Sequence, residues 1–331
     1  MKVATALPWT QAVWQRLTQQ QLVGRLGHAI LMVGQEGIGK RLLMREFAQQ
    51  LLCTGLDAKP CGKCASCMLY DAGSHPDLLM VEPEEAGKQI KIEQIRKVTE
   101  FVNTTPQKGE NKVVLLGPSE AMNNNASNAL LKSLEEPSGH VTLLLYSHQP
   151  SGLLATIKSR CQQYELSPPN WQQGLDWLQV NSQETGLESI LRLAKGAPLR
   201  ALSMIEQDIH VQYMQFCQGM LDLSNGGSHW NEVMLKWKNW DTGSVLQWFY
   251  ELILDMQKVK SGLPEQSLSI QELSVLTLKL AAVCDYAQLE GMLNKAIFSQ
   301  QALRGQANPN SQMLIETLLI DWISLLGQAR G

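Results

Sequence analysis

Long apolar runs are missing from this sequence of 331 residues. No stretch approaches the roughly 18 residues that a membrane span requires. The N-terminal "MKVATALPWTQAVWQRL" also lacks the apolar centre and small-residue cleavage site of a secretory leader. A soluble, cytoplasmic protein is expected. An excess of charge of one sign is missing too: the net charge of -3 sets up no global basic field, so any nucleic-acid contact has to come from a local patch or through partner proteins. A disulfide framework is equally absent. Of seven cysteines, four crowd into residues 53–67 while Cys161, Cys217 and Cys284 stand alone, a clustering that reads as metal binding in a reducing compartment. There is no internal repeat and no low-complexity tract.

What remains is an ordinary globular balance, 44% apolar and 18% charged, in a chain long enough for two or three domains. The first half alternates short apolar runs with amphipathic stretches. "HAILMVG" (28–34) leads through a glycine-rich loop into "KRLLMREFAQQLL", which is strand, loop and helix in order. "PDLLMVEP" (76–83) reads as a second strand. "IKIEQIRKVTEFV" (90–102) puts Ile92, Ile95, Val98 and Val102 at helical spacing. "KVVLL" (112–116) and "VTLLLYS" (141–147) are continuous apolar runs of the kind buried on both faces, and "CQQYEL" (161–166) supplies a fifth strand. Between the third and fourth strands, "SEAMNNNASNALLKSLEE" forms a helix that stops at Pro137. The pattern predicts a mainly parallel sheet covered on both sides. After "SPPN" (167–170) no strand follows: residues 171–206 form a small helical unit, and long apolar helices with breaks at "SNGGSH", "SGLPEQS" and "ANPNSQ" fill the rest.

Cys53, Cys61, Cys64 and Cys67 follow the spacing C-x7-C-x2-C-x2-C, with Gly62 inside the "CGKC" turn. Four thiolates close a tetrahedral zinc shell, and short C-x2-C steps let backbone amides point at the sulfurs. A closed shell leaves no position for water, so the expected zinc is structural.

"GQEGIGKR" (34–41) places Gly34, Gly37, Gly39 and Lys40 as in a phosphate-binding loop. Arg41 stands where a magnesium-binding Ser or Thr belongs. At the end of "KVVLL" come Gly117 and Pro118 instead of an acidic pair, and the first acid is Glu120, farther on. Arg41 in a first helical turn also opposes the helix dipole by roughly 0.3–1 kcal/mol unless an anion or acidic side chain offsets it. Two readings stand: phosphate binding without hydrolysis, or a glycine-rich turn that only packs helix on strand.

The segments "HPDLLMVEPE", "IKIEQIRKV", "NALLKSLEEP" and "ATIKSRC", with the four-cysteine insert after the first helix, resemble the clamp-loader subunits of bacterial DNA replication, of the AAA+ class. The resemblance covers nearly all of residues 20–205; beyond that it rests on helix length and "NPNSQMLIETLL". It implies a RecA-like α/β AAA+ domain with an inserted zinc module (1–166, the module at about 53–67), a helical lid (167–207) and an all-α oligomerising collar (208–331). Arg41, Gly117 and Pro118 depart from the ATP-hydrolysing tau/gamma pattern. The resemblance thus implies a non-hydrolysing stator of the DNA polymerase III clamp loader, in a heteropentamer with tau/gamma and delta that places the sliding clamp on primer-template DNA. Nucleotide binding by this chain is not expected to lead to hydrolysis. The motif "SRC", with Ser159, Arg160 and Cys161, implies an arginine finger, Arg160, reaching a neighbour's ATP in trans.

Ser147 falls where family ATPases keep a polar residue that senses the γ-phosphate, and Arg200 falls near the family's lid arginine. Glu135 and Glu136 are read as a helix end, with no chemistry. Trp230, Trp237, Trp240 and Trp248 are read as helix packing rather than a base-stacking surface. Two rival readings are an active ATPase of tau/gamma type and a zinc-dependent nucleic-acid-binding protein with a vestigial nucleotide fold.

Overall fold

A computed structural model describes residues 7–55, 60–85, 87–136, 140–227, 229–304 and 310–330. Pro137, Asn308 and Pro309, named above as a helix stop and part of a break, lie outside the described residues.

The chain forms two compact units, one ending at Leu202 and the other beginning at Ser203. The first contains five strands: β1 (Ala29–Val33), β2 (Leu78–Val81), β3 (Lys112–Leu116), β4 (Val141–Ser147) and β5 (Gln162–Glu165). All pair in parallel in the order β2-β3-β4-β1-β5. Leu31 faces Leu145 on one side and Gln163 on the other. Each apolar run named above is one of these strands.

The first unit also contains the helices α1 (Gln11–Leu22), α2 (Lys40–Leu52), α3 (Ala65–Asp71), α4 (Ile92–Val102), α5 (Asn124–Glu135), α6 (Ala155–Lys158), α7 (Trp171–Asn181), α8 (Leu187–Leu193) and the start of α9 (Pro198–Glu206), which crosses the division at Leu202. Because successive strand residues point to opposite faces, the runs without alternation feed two cores at once. Ile30, Met32, Val113, Leu115, Leu144 and Tyr146 pack with Leu43, Met44 and Phe47 of α2 and Leu17 of α1. Leu31, Val114, Leu116, Leu143 and Leu145 pack on the other face with Ile95 and Val98 of α4 and Leu130 and Leu134 of α5. Helices thus cover both faces, and the loops after β1, β3 and β4 emerge together at the carboxyl edge, where open α/β sheets place their ligands.

The second unit is helical: α10 (Ile209–Asn225), α11 (Trp230–Trp237), α12 (Thr242–Lys260), α13 (Ser274–Val283), α14 (Tyr286–Arg304) and α15 (Ser311–Arg330). α12 is its centre, burying Val245, Leu246, Trp248, Phe249, Leu252, Ile253 and Met256. Its fully buried Asp255 is satisfied by the amides of Ser269 and Ile270, at 2.7 and 2.8 Å, and by Lys258 at 2.7 Å. Trp237 and Trp248 are buried and share a ring cluster with Phe216, Phe249 and Trp240. Those three tryptophans therefore pack helices. Trp230 lies instead beside a surface groove lined by Met234, Leu235 and Glu316. No described helix is long and apolar enough to cross a membrane.

Candidate functional sites at the sheet edge and the cysteine insert

The glycine-rich loop joins β1 to α2. Gly34, Gly37 and Gly39 have φ of +149, +77 and +104 degrees, which only glycine adopts without strain. Their surroundings are closed as well. A Cβ on Gly34 would lie 2.3 Å from the Leu166 carbonyl oxygen, one on Gly37 would lie 2.4 Å from Arg200 Cβ, and one on Gly39 would lie 2.3 Å from Leu7. The Leu199 amide donates to the Gly37 carbonyl at 3.0 Å and the Trp9 indole to the Ile38 carbonyl at 2.7 Å. Arg200 thus rests on the back of the loop.

Lys40 is buried and curls onto its own loop, donating from Nζ to the Gly34 carbonyl at 2.6 Å and to the Gln35 carbonyl. Burial pushes its pKa down to about 8, against the pull of Glu120 and Glu36. Arg41 makes a two-point pair with Glu82 at the end of β2, Nε to Oε1 and Nη2 to Oε2, both 2.5 Å. Burial works against the Arg41 charge, and the Glu82 pair outweighs it. The same Oε1 accepts from the Tyr146 hydroxyl at 3.1 Å. Burial and the Glu82 charge hold that phenol well above its usual range. Glu82 is the acidic partner that offsets Arg41 in the first helical turn; it lies 41 positions along the chain from Arg41, beyond the reach of any local pattern.

These residues do not fit a magnesium site. The hydroxyl position carries a cation already neutralised by Glu82. At the end of β3 a side chain is sterically excluded, since a Cβ on Gly117 would lie 2.7 Å from the Tyr146 ring. Glu120 turns one oxygen to the amides of His148 and Gln149, at 2.8 and 3.1 Å. Its Oε2, the Ser147 Oγ at the end of β4 and His148 Nδ1 are buried without a protein partner. Burial, then Lys40, pushes the His148 pKa down, keeping the ring neutral at pH 7.

The four cysteines come together between α2 and α3: Cys53 ends α2, Cys64 caps the start of α3 and Cys67 lies in its first turn. Their sulfurs all lie within 4.8 Å of one another. Cys53 to Cys64 is 3.9 Å and Cys61 to Cys67 is 4.0 Å, close to the roughly 3.8 Å edge of a tetrahedron with zinc–sulfur bonds of about 2.3 Å. The expected amides are present: Gly55 and Cys61 donate to the Cys53 sulfur, Cys64 to Cys61, and Cys67 to Cys64, at 3.3–3.4 Å. Hydrogen bonds from Thr54 and the Cys67 amide push Cys64 down to about 5, while burial pushes Cys67 up to about 12. The donor set fits a tetrahedral thiophilic ion.

Beside this cluster lies a buried support that no local pattern in the sequence marks. Ser66 Oγ donates to the Leu52 carbonyl at 2.6 Å and meets His75 Nε2 at 2.7 Å, while His75 Nδ1 accepts from the Asp77 amide at 3.0 Å. The Asp77 carboxylate in turn takes the amides of Gln107 and Lys108, at 2.7 and 2.8 Å. Burial pushes the His75 pKa down, consistent with a neutral ring that accepts at one nitrogen and donates at the other. The "HPD" motif thereby ties the insert to β2. Its three polar-to-proline residues gave only a family resemblance from sequence.

Arg160 follows α6, apart from the loop after β1. Its Nη2 pairs with Glu135 Oε1 at 2.6 Å and its Nη1 donates to the Thr156 carbonyl at 3.0 Å. Ser159 Oγ donates to the same carbonyl at 3.1 Å. Cys161 is buried in the core, and burial pushes its thiol up to about 11.

Comparison with known proteins gives a consistent result. The family described as "DNA polymerase III, delta subunit" matches residues 9–170, and "DNA polymerase III, delta subunit, C terminal" matches residues 207–324. A DNA polymerase III subunit delta-prime from Pseudomonas aeruginosa is 39% identical, covering 98% of this chain and 99% of that protein. The Escherichia coli subunit of the same name is 29% identical over 95% of this chain and 94% of its own length. The Escherichia coli DNA polymerase III subunit tau is 34% identical, but over 56% of this chain and 30% of that protein.

Proposed function

Because the chain belongs to the DNA polymerase III delta-prime subunit family, we propose that it is a non-hydrolysing stator of the clamp-loader complex. The observation that carries this reading is the Arg41–Glu82–Tyr146 arrangement, which puts a neutralised cation where a nucleotide-bound magnesium needs a hydroxyl ligand. In this reading the chain assembles with tau/gamma and delta into a heteropentamer in the cytoplasm, which loads the sliding clamp onto primed DNA. Residues 1–166 serve as the AAA+ domain, 167–207 as a lid and 208–331 as the collar. The cysteine cluster is the site of a structural zinc, with Cys53, Cys61, Cys64 and Cys67 as its four thiolate ligands; it pins the insert and takes no part in chemistry.

The chain's own chemistry lies in Arg160, offered in trans to a neighbour's ATP. A guanidinium brought to a γ-phosphate stabilises the charge that develops there, an effect of about 10³–10⁵ in rate in other NTPases. Arg160 is partly exposed at the end of a short helix, so a neighbouring subunit can reach it without unfolding anything. Ser159 holds the turn.

The test is ATPase activity. The purified chain alone should show no turnover beyond contaminants, and robust turnover lost on Lys40→Ala would overturn the stator reading in favour of an active ATPase. In the reconstituted complex, Arg160→Ala should leave assembly by size unchanged and lower DNA-stimulated ATPase at least tenfold. Unchanged ATPase in that complex would refute the finger.

A further inference from the structure

Glu135 read as nothing more than a helix end in the sequence; the structure gives it a partner. It is the last residue of α5, and its carboxylate reaches Arg160 Nη2 at 2.6 Å. From the other side the Thr156 carbonyl takes Arg160 Nη1 at 3.0 Å. The guanidinium is therefore held between two elements. Both rest on one core: Leu130 and Leu134 of α5 and Ile157 of α6 pack together with Leu153 and Cys161. The separation of the two anchors is thus fixed by buried apolar contacts, not by the surface side chains themselves.

An exposed arginine with a long flexible stem samples many rotamers, and the cost of ordering it falls on whichever step requires a single geometry. A finger acts only in the transition state of its neighbour's reaction, so prior ordering lowers that barrier without tightening ground-state nucleotide binding. Arginine carries five N–H donors in a planar fork. The anchors to Glu135 and Thr156 occupy part of it and leave N–H groups for a phosphate.

Building on the finger reading above, we propose that Glu135 is a positioning residue for Arg160, ordering its guanidinium from within the same chain before a neighbour's ATP arrives. The side chain of Glu135 is about half exposed (49%), so its replacement leaves the fold intact.

The experiment uses the reconstituted clamp-loader complex with chains carrying Glu135→Ala, Glu135→Gln, Arg160→Ala, or both alanines. Glu135→Ala should lower the DNA-stimulated kcat for ATP by about threefold to tenfold with KM for ATP unchanged and the complex intact by size. Glu135→Gln keeps an acceptor oxygen toward Nη2 and should recover at least half of the loss. The double alanine variant should be no slower than Arg160→Ala alone, since the two residues act as one unit. A Glu135→Ala complex as fast as or faster than wild type, beside a depressed Arg160→Ala complex, overturns the positioning role while leaving the finger in place. An Arg160→Ala complex of unchanged activity removes the finger, and the role of Glu135 with it.

Discussion

The glycine-rich loop and the cysteine cluster are both short, glycine-bearing segments flanking α2, and they have opposite chemical fates. In the loop the groups that would meet a phosphate and a metal are already spent: Lys40 bonds to its own loop carbonyls, and Arg41 is paired with Glu82. In the cluster four sulfurs converge, and their backbone amides support negative charge on them. A motif's spacing brings residues near one another; which groups remain available is settled by the partners the fold supplies.

The contrast is sharpest on metal removal. The purified chain should carry about one zinc per chain by elemental analysis, and Cys64→Ser should abolish it. The melting midpoint of the first unit should then fall by about 5–10 °C, because binding free energy at such a site is folding free energy. Magnesium should give no comparable shift. Full stability after complete zinc removal would erase the difference between the two regions.

The next effect separates the glycines. Gly34→Ala forces a left-handed φ and drives a Cβ to within 2.3 Å of the Leu166 carbonyl, and should cost about 2–4 kcal/mol in urea unfolding. Gly62→Ala in the cysteine turn faces the same kind of φ, +68 degrees, but meets nothing within 4 Å. It should cost only about 1 kcal/mol. Equal costs would mean that the loop is not closely packed.

The smallest effect is a pH trend. Lys40 has its pKa lowered to about 8 from 10.5 by burial, so between those values the unfolded chain binds a proton that the folded chain does not. Stability from this group is therefore lowest below about pH 8 and rises toward pH 10.5. Relative to Lys40→Met, the wild type should gain about 1–2 kcal/mol across that window, an amount already reduced for solvent screening. A difference independent of pH would show that the lysine is not held out of water by its own loop.

Much of this was legible in the sequence. Apolar runs located β1 to β4, and β1, β3 and β4 show no alternation because a strand buried on both faces has no polar side to show; β5, with Tyr164 buried between exposed glutamines and Glu165, came from the mixed segment "CQQYEL". The four-cysteine spacing located the candidate metal ligands, because C-x2-C steps constrain sulfur positions locally. The missing hydroxyl and acidic pair were plain from Arg41, Gly117 and Pro118. The Arg41–Glu82 and Arg160–Glu135 pairs were not legible, since each joins residues brought together by the sheet or its helices. The role of His75 and Asp77 was hidden for the same reason.

Local pattern was enough for the strands, the main helices and the type of donor at each site, because periodicity and residue chemistry act over a few residues. The order β2-β3-β4-β1-β5, the Tyr146 ring that bars a side chain at Gly117, and the carboxylates that engage Arg41 and Arg160 came from the folded chain alone. Those are contacts between segments far apart in the chain, selected by which apolar faces pack together, and no local pattern encodes them.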